Sequence, residues 1–204
     1  MANGKVTIGF SNPLVAVYSA SGNTVTYTGV IPMARGVGVE ISLESGGDNV
    51  FHADNAVAER DAGRFTGGTA TFTVDGLKAA AERLIAGLAA AEPFTVTSTL
   101  TVDEQHWGDT QTVPYVGVGF VVERMEEGVT SWKPIVLTKL KFDTAGLSAQ
   151  TQGQEIDWQT TELTAAIERD DSARHDWKRT TENDLTTEAD AIAYITKVLG
   201  GTVQ

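Results

Sequence analysis

The chain has 204 residues, no cysteine, and 15 basic against 27 acidic side chains, for a formal charge of −12. That length suits one well-packed domain with at most a small appendage, and the lack of cysteine excludes disulfides, thiolate catalysis and Cys-type zinc sites. An acid excess without any run of Lys or Arg argues against stable nucleic-acid binding, and 41% apolar with 21% charged residues is a globular composition.

No window approaches the 18 uninterrupted apolar residues of a membrane-spanning helix. The opening MANGKVTIGFSNP lacks a basic region followed by an apolar run, so no signal peptide is expected. These features predict a protein of the cytosol, or of a structure assembled there.

Period two dominates the chain. Leu14–Tyr18 and Val25–Tyr27 flank Ser21-Gly22-Asn23, a hairpin turn by residue type. Val37, Val39, Ile41 and Leu43 alternate with Gly38, Glu40, Ser42 and Glu44, as a half-buried strand does. Next comes a glycine-bounded stretch, Ser45 to Gly68. Phe51 and Val57 predict short strands there, inside a long hairpin projecting from the body. Ala70, Phe72 and Val74 alternate with threonines to make another strand.

Asp75 is placed to cap a helix over about 75–91. Its stripe is Leu77, Ala80, Ala81, Leu84, Ile85 and Leu88, and Glu92-Pro93 is the expected stop. Val96, Leu100 and Val102 alternate with Thr97, Thr99 and Thr101. Tyr115 to Val122 is apolar or glycine at every position, which predicts a central strand buried on both faces. In Ile135–Phe142, Val136, Leu140 and Phe142 lie on one side and Lys139 and Lys141 on the other.

The stretch TQGQEIDWQTTELTAAIERDD, Thr151 to Asp171, predicts a strand with Glu155, Asp157, Gln159 and Thr161 on a polar face and Ile156 and Trp158 in the core. The buried parity then switches to Leu163, Ala165 and Ile167, so a β-bulge is expected near Thr160–Glu162. Arg169 to Leu185 reads as an extended, mobile polar arm. A last helix, about 187–199, starts at a capping box of Thr186 or Thr187 with Asp190 and stops at Gly200-Gly201.

Catalytic signals are sparse. His52 with Asp54, or His175 with Asp170, Asp171 and Asp176, lacks helical metal-ligand spacing, and a solvated loop is the simpler reading. No G-x-S-x-G occurs, and Val37-Gly38-Val39 and Val118-Gly119-Phe120 precede no helix, so they make no phosphate cradle. No enzymatic activity, cofactor or metal is expected. Trp107, Trp132, Trp158 and Trp177 could line a sugar platform, although such aromatics more often fill a core or an assembly contact.

Three stretches together resemble the major tail protein, or tail tube protein, of long-tailed bacteriophages. They are NVFHADNAV (Asn49–Val57), YVGVGFVVE (Tyr115–Glu123) followed by WKPIVLTKLKF (Trp132–Phe142), and TQGQEIDWQTTEL (Thr151–Leu163). The resemblance implies an α+β, mainly β fold, a sandwich or barrel-like pair of sheets with a helix at its side. A β-domain would span 1–168, and an arm and helix that form no independent domain would span 169–204.

The resemblance further implies stacked, hexameric rings whose inner sheets join around a channel for DNA. The partners would be further copies of the chain, a tape-measure protein, a tail initiator or baseplate and a tail terminator. Assembly would take place in the host cytoplasm, with the virion tail as destination and no membrane insertion. On this basis Glu155, Asp157, Gln159 and Thr161 are expected to face the lumen, with solvent or a subunit contact as the alternative. The hairpin residues Asp48, Phe51, His52, Asp54, Asn55, Glu59, Arg60 and Arg64 are expected at ring or subunit contacts. A carbohydrate- or receptor-binding β-sandwich is the competing expectation.

Overall fold

A computed structural model describes residues 4–47, 49–61, 63–109, 111–143, 146, 151 and 158–203, apart from the side chains at 49, 52, 58, 60 and 61. Twelve strands and two helices follow in order among them. The strands are β1 (Val6–Ser21), β2 (Thr24–Pro32), β3 (Gly36–Ser45), β4 (Asn49–Ala53), β5 (Ala56–Asp61), β6 (Phe65–Val74), β7 (Glu92–Thr97), β8 (Leu100–Glu104), β9 (Val116–Glu126), β10 (Val129–Phe142), β11 (Thr161–Glu168) and β12 (Lys178–Thr180). Helix α1 is Ala79–Ala86 and α2 is Glu188–Val198. The fold is α+β and mainly β.

Antiparallel pairing gives the sheet order β2-β1-β9-β10-β11-β6-β3, with β12 also on β10. The sheet folds over at β10–β11, so that β11-β6-β3 packs across β2-β1-β9-β10. Val39, Phe72 and Leu163 form one inward row and Ile41, Ala70 and Ala165 the next. These rows meet Val116, Val118, Phe120 and Val122 of β9. Phe72 reaches Phe120 edge-on, with centroids 6.0 Å apart. Each such ring, fully buried, contributes about 1.5–3 kcal/mol. Ala81 and Ile85 of α1 join the same core.

Of the expected stretch Tyr115–Val122, every residue from Val116 on is buried, while Tyr115 precedes β9 and is half-buried. The reason lies behind the strand, where α2 packs on the opposite face with Ala191, Ile195 and Leu199 against Ala16, Tyr18, Tyr27, Val121 and Val136. The glycines of VGVGF make that approach possible. A Cβ on Gly119 would stand 2.2 Å from Ile195 Cγ2, and one on Gly117 would stand 2.5 Å from the Tyr27 ring. Helix α2 begins as expected, with the Thr187 hydroxyl accepting the Asp190 N–H at 3.1 Å.

Several expectations need correction. Helix α1 is shorter than 75–91. Gly87 ends it in the left-handed region (φ 66°), and Asp75, instead of capping the helix, accepts from Arg35 N and Nε. Glu92-Pro93 opens β7 rather than closing a helix.

The bulge expected near Thr160–Glu162 does not form in β11, where Ile156 lies outside the described residues, and β10 carries a bulge that the sequence reading did not include. Leu137 opposes Val118 but Leu140 opposes Val116, one residue too many, whereas β11 pairs with β6 without a shift from Thr161 to Ile167. That bulge turns Leu137, Leu140 and Phe142 to the main core and leaves Val136 with α2. Trp158, expected in the core, precedes β11 and is 84% exposed.

The polar arm is docked rather than mobile. After β11 parts from β10 at Lys139, β12 pairs with Ile135–Leu137, and Leu185 exchanges both backbone hydrogen bonds with Trp132 at 2.9 and 2.8 Å. A single long strand is thus covered in turn by three segments, which satisfies its backbone.

Candidate assembly surface

The half-sheet β11-β6-β3 has one face in the core, and none of the described elements packs on the other. Its outward rows are Gly38–Thr73–Glu162, Glu40–Thr71–Thr164 and Ser42–Thr69–Ala166. Hydroxyls and carboxylates dominate this face, and among the described residues cations enter at its far side, where Lys141 and Lys139 of β10 oppose Ala166 and Glu168. Small β-branched hydroxyl residues are at home on a pleated surface that meets water.

The two margins of the sheet differ. β2 carries an irregularity against β1, with Gly29 in the left-handed region (φ 67°), ends in Pro32, and has Gly200 against the Tyr27 carbonyl. Bulges, prolines and covering segments all discourage further pairing. β3 is regular from Gly38 to Glu44, contains neither Pro nor Lys, and exposes Val37 (57%) and Leu43 (50%). It is an open edge.

Two ribbons stand off the body. β4 and β5 continue the β3–β6 hairpin beyond Gly46, whose N–H is accepted by the Arg64 carbonyl at 2.9 Å. Ala53 pairs with Ala56 across Asp54-Asn55, both left-handed (φ 50° and 61°), which is a type I′ turn. β7 and β8 form the second ribbon, every residue of which is exposed. Phe94 opposes Val102, with Val96 and Leu100 adjacent, and on the other face the Thr95 and Thr101 hydroxyls lie 3.4 Å apart. Gln105 Nε2, donating to the Ala89 carbonyl, ties down the ribbon's root.

The expected contact residues are distributed over these features. Phe51 (62% exposed) and Glu59 stand opposite each other on the first ribbon, and Arg64 is exposed at its base. Asp54 and Asn55 are the turn itself, so backbone geometry explains them. His52 and Arg60 lie on β4 and β5, with side chains outside the described set, and Asp48 lies outside the described residues.

Of the expected lumen residues, Glu155 and Asp157 lie outside the described residues and Gln159 is exposed. Thr161 opposes Val74 and shares the parity of Leu163, so it belongs to the core side of β11. The outward residues of that strand are Glu162, Thr164 and Ala166, which sequence reading passed over. Their signal was the even parity left over once Leu163, Ala165 and Ile167 were assigned inward.

The strongest cluster of titratable groups is a clasp. Tyr18 donates to Asp171 Oδ2 at 2.6 Å, and the Asp171 N–H returns to the Tyr18 hydroxyl at 2.9 Å. Burial, then this hydrogen bond, pushes the Tyr18 hydroxyl up to about 12. The same bond, with Lys139 Nζ 3.1 Å away, holds Asp171 below the usual carboxylate range. Asp184, 4% exposed, gathers Lys5, Arg124 and Lys133 at 3.1, 3.6 and 3.7 Å. Burial raises its pKa, but Lys5 and Arg124 outweigh that and leave it lowered. These groups answer one another and pin the arm and the N-terminal strand to the sheet.

A cleft of about 570 Å³ between β2, the arm and α2 holds Asp170, engaged by Ser172 N and Oγ, and the Arg174–Asp176 ion pair. Among the described residues no group of three or more His, Asp or Glu is placed to hold a metal, and no helix is long and apolar enough to cross a membrane. No protein-family model matches this sequence, and no curated protein matches it at a significant level.

Proposed function

We propose that this protein is the subunit of a bacteriophage tail tube, polymerising into stacked, hexameric rings through which DNA leaves the virion. The observation that carries the reading is the outward face of β3, β6 and β11, a polar, acid-bearing wall that none of the described elements covers, with an edge beside it that is unpaired among the described residues. A wall of this kind suits a channel for DNA. Carboxylates repel phosphates and threonines present short, uncharged side chains, so over β3 and β6 a passing duplex meets few groups that would hold it.

In this reading the lumen residues are Glu40, Ser42, Thr71, Glu162 and Thr164, in place of Thr161. The projecting β4–β5 ribbon serves ring-to-ring contacts. Tape-measure, initiator and terminator proteins are the other partners, and the virion tail is the location.

Electron microscopy of concentrated protein, with and without the tail initiator, tests the reading directly. Rings or tubes are expected, and dispersed particles under every condition would remove it. Exchanging Glu40 and Glu162 together for Lys is expected to preserve tubes and slow DNA ejection. A second reading, a glycan- or receptor-binding module, draws on Trp158, an 84% exposed aromatic of the kind that stacks on sugars. Glycan binding by dispersed particles, lost in Trp158→Ala, would favour it.

A further inference from the structure

The geometry points to a specific junction between copies, in which β7 of one chain adds to the open edge of β3 in the next. The inference rests on the tube reading and names the strands that join.

Need is the first observation. A two-stranded ribbon is marginally stable alone in water. The β7–β8 ribbon nonetheless presents Phe94, Val96, Leu100 and Val102, each 40–51% exposed, with no other described strand beside it. Exposed apolar area of this kind is covered in an assembly.

Match is the second. The inward face of β3 carries Val37, Val39, Ile41 and Leu43, only half-covered at the margin, and its outward face carries Glu40 and Ser42. The ribbon likewise has an apolar face and a threonine face. Strand addition at β3 sets apolar beside apolar, extending the core sideways over Val37 and Leu43. It also sets Thr95 and Thr101 in line with the Glu40–Thr71–Thr164 rows, extending the polar wall. A slip of one residue would exchange the faces, so the pattern selects the register parity.

Charge selects the strand. β7 opens on Glu92-Pro93 and carries an irregularity near Val96, which confine pairing to its short stretch from Phe94 on. That stretch is nonetheless uncharged to Thr97, while β8 ends in Asp103-Glu104, which would meet Glu40 and Glu44 across the junction. It also disfavours β3 pairing with a second β3, since both bear two carboxylates. The contact is therefore heterologous, joining one surface to a different one. Such contacts propagate into rings or filaments rather than closing as dimers.

The absence of natural cysteine makes the test clean. Chains carrying Ser42→Cys, or Glu40→Cys, are mixed under oxidising assembly conditions with chains carrying Thr95→Cys or Thr97→Cys. A disulfide needs Cα atoms within about 7 Å. A cross-linked dimer is expected in at least one mixture and in no single-variant sample. Val96→Glu combined with Val102→Glu, both on an exposed surface, is expected to abolish rings and tubes with an unchanged Tm.

Tubes that form without any mixed cross-link, or that persist in the double Glu variant, overturn the β7–β3 junction and leave the tube reading standing. Failure of the unaltered protein to assemble under any condition overturns both. A mixed cross-link together with loss of tubes in the Glu variant supports the junction.

Discussion

The two halves of the sheet are built from similar strands and finished differently. In β2-β1-β9-β10 both faces are buried, one by the opposite half and one by α2. In β11-β6-β3 only one face is buried, and the other presents threonines, serine and glutamates. The difference is written in residue size and polarity. Where a helix must approach, β9 places Gly117 and Gly119. Where no described element approaches, β6 places Thr69, Thr71 and Thr73. One half has both faces covered by described elements, and the other has one face and one edge that no described element covers.

The comparison breaks most severely at Gly119. Gly119→Val sets a side chain into the space of Ile195 and is expected to cost about 2–3 kcal/mol, read as a lower urea midpoint with displacement of α2. A midpoint within error of the original would show that α2 is not tightly seated on β9.

A smaller effect is expected at Asp184, on the closed half. Its neighbours Lys5 and Arg124 are about one-third exposed, so Asp184→Asn should cost about 1–2 kcal/mol at pH 7 rather than the full cost of breaking a buried pair. Because the folded-state pKa lies below the unfolded value, this stabilisation is complete above about pH 4 and is lost as pH falls through the folded pKa. The gap between variant and original should therefore narrow in strongly acidic denaturation experiments, and a gap constant with pH would exclude the ionised carboxylate as its source.

The smallest effect is expected on the open half. Thr71→Val keeps the β-branched shape on an uncovered face and should move stability by no more than about 0.5 kcal/mol. A large loss would mean that the face is already engaged within the chain.

Much of this was legible before any coordinates. The double-sided burial of Val116–Val122 follows from the lack of any polar side chain there, and the Thr187 cap from a hydroxyl three residues before Asp190. The projecting hairpin follows from Gly pairs bracketing short β runs. Less legible was where a run would end. Leu88 continues the stripe of α1 perfectly well, but a left-handed Gly87 stops the helix, and local pattern carries no record of that choice. Trp158 fits an alternating strand on paper and is left outside because β11 begins only at Thr161. The bulge expected near Thr160–Glu162 is absent because Trp158, outside β11, sets no parity to be switched, whereas the bulge in β10 shows only in its register against β9.

By itself the sequence determined the class of structure, the faces of most strands and the surplus of acid over base, since these depend on residue chemistry and on periods of two and 3.6. Tertiary structure alone decided which faces are covered. Coverage depends on contacts between residues far apart in the chain, as when Ile195 meets Gly119 or Asp171 meets Tyr18. The outward wall of β3, β6 and β11 is recognisable only because α2 and the polar arm, the covers available among the described residues, pack elsewhere.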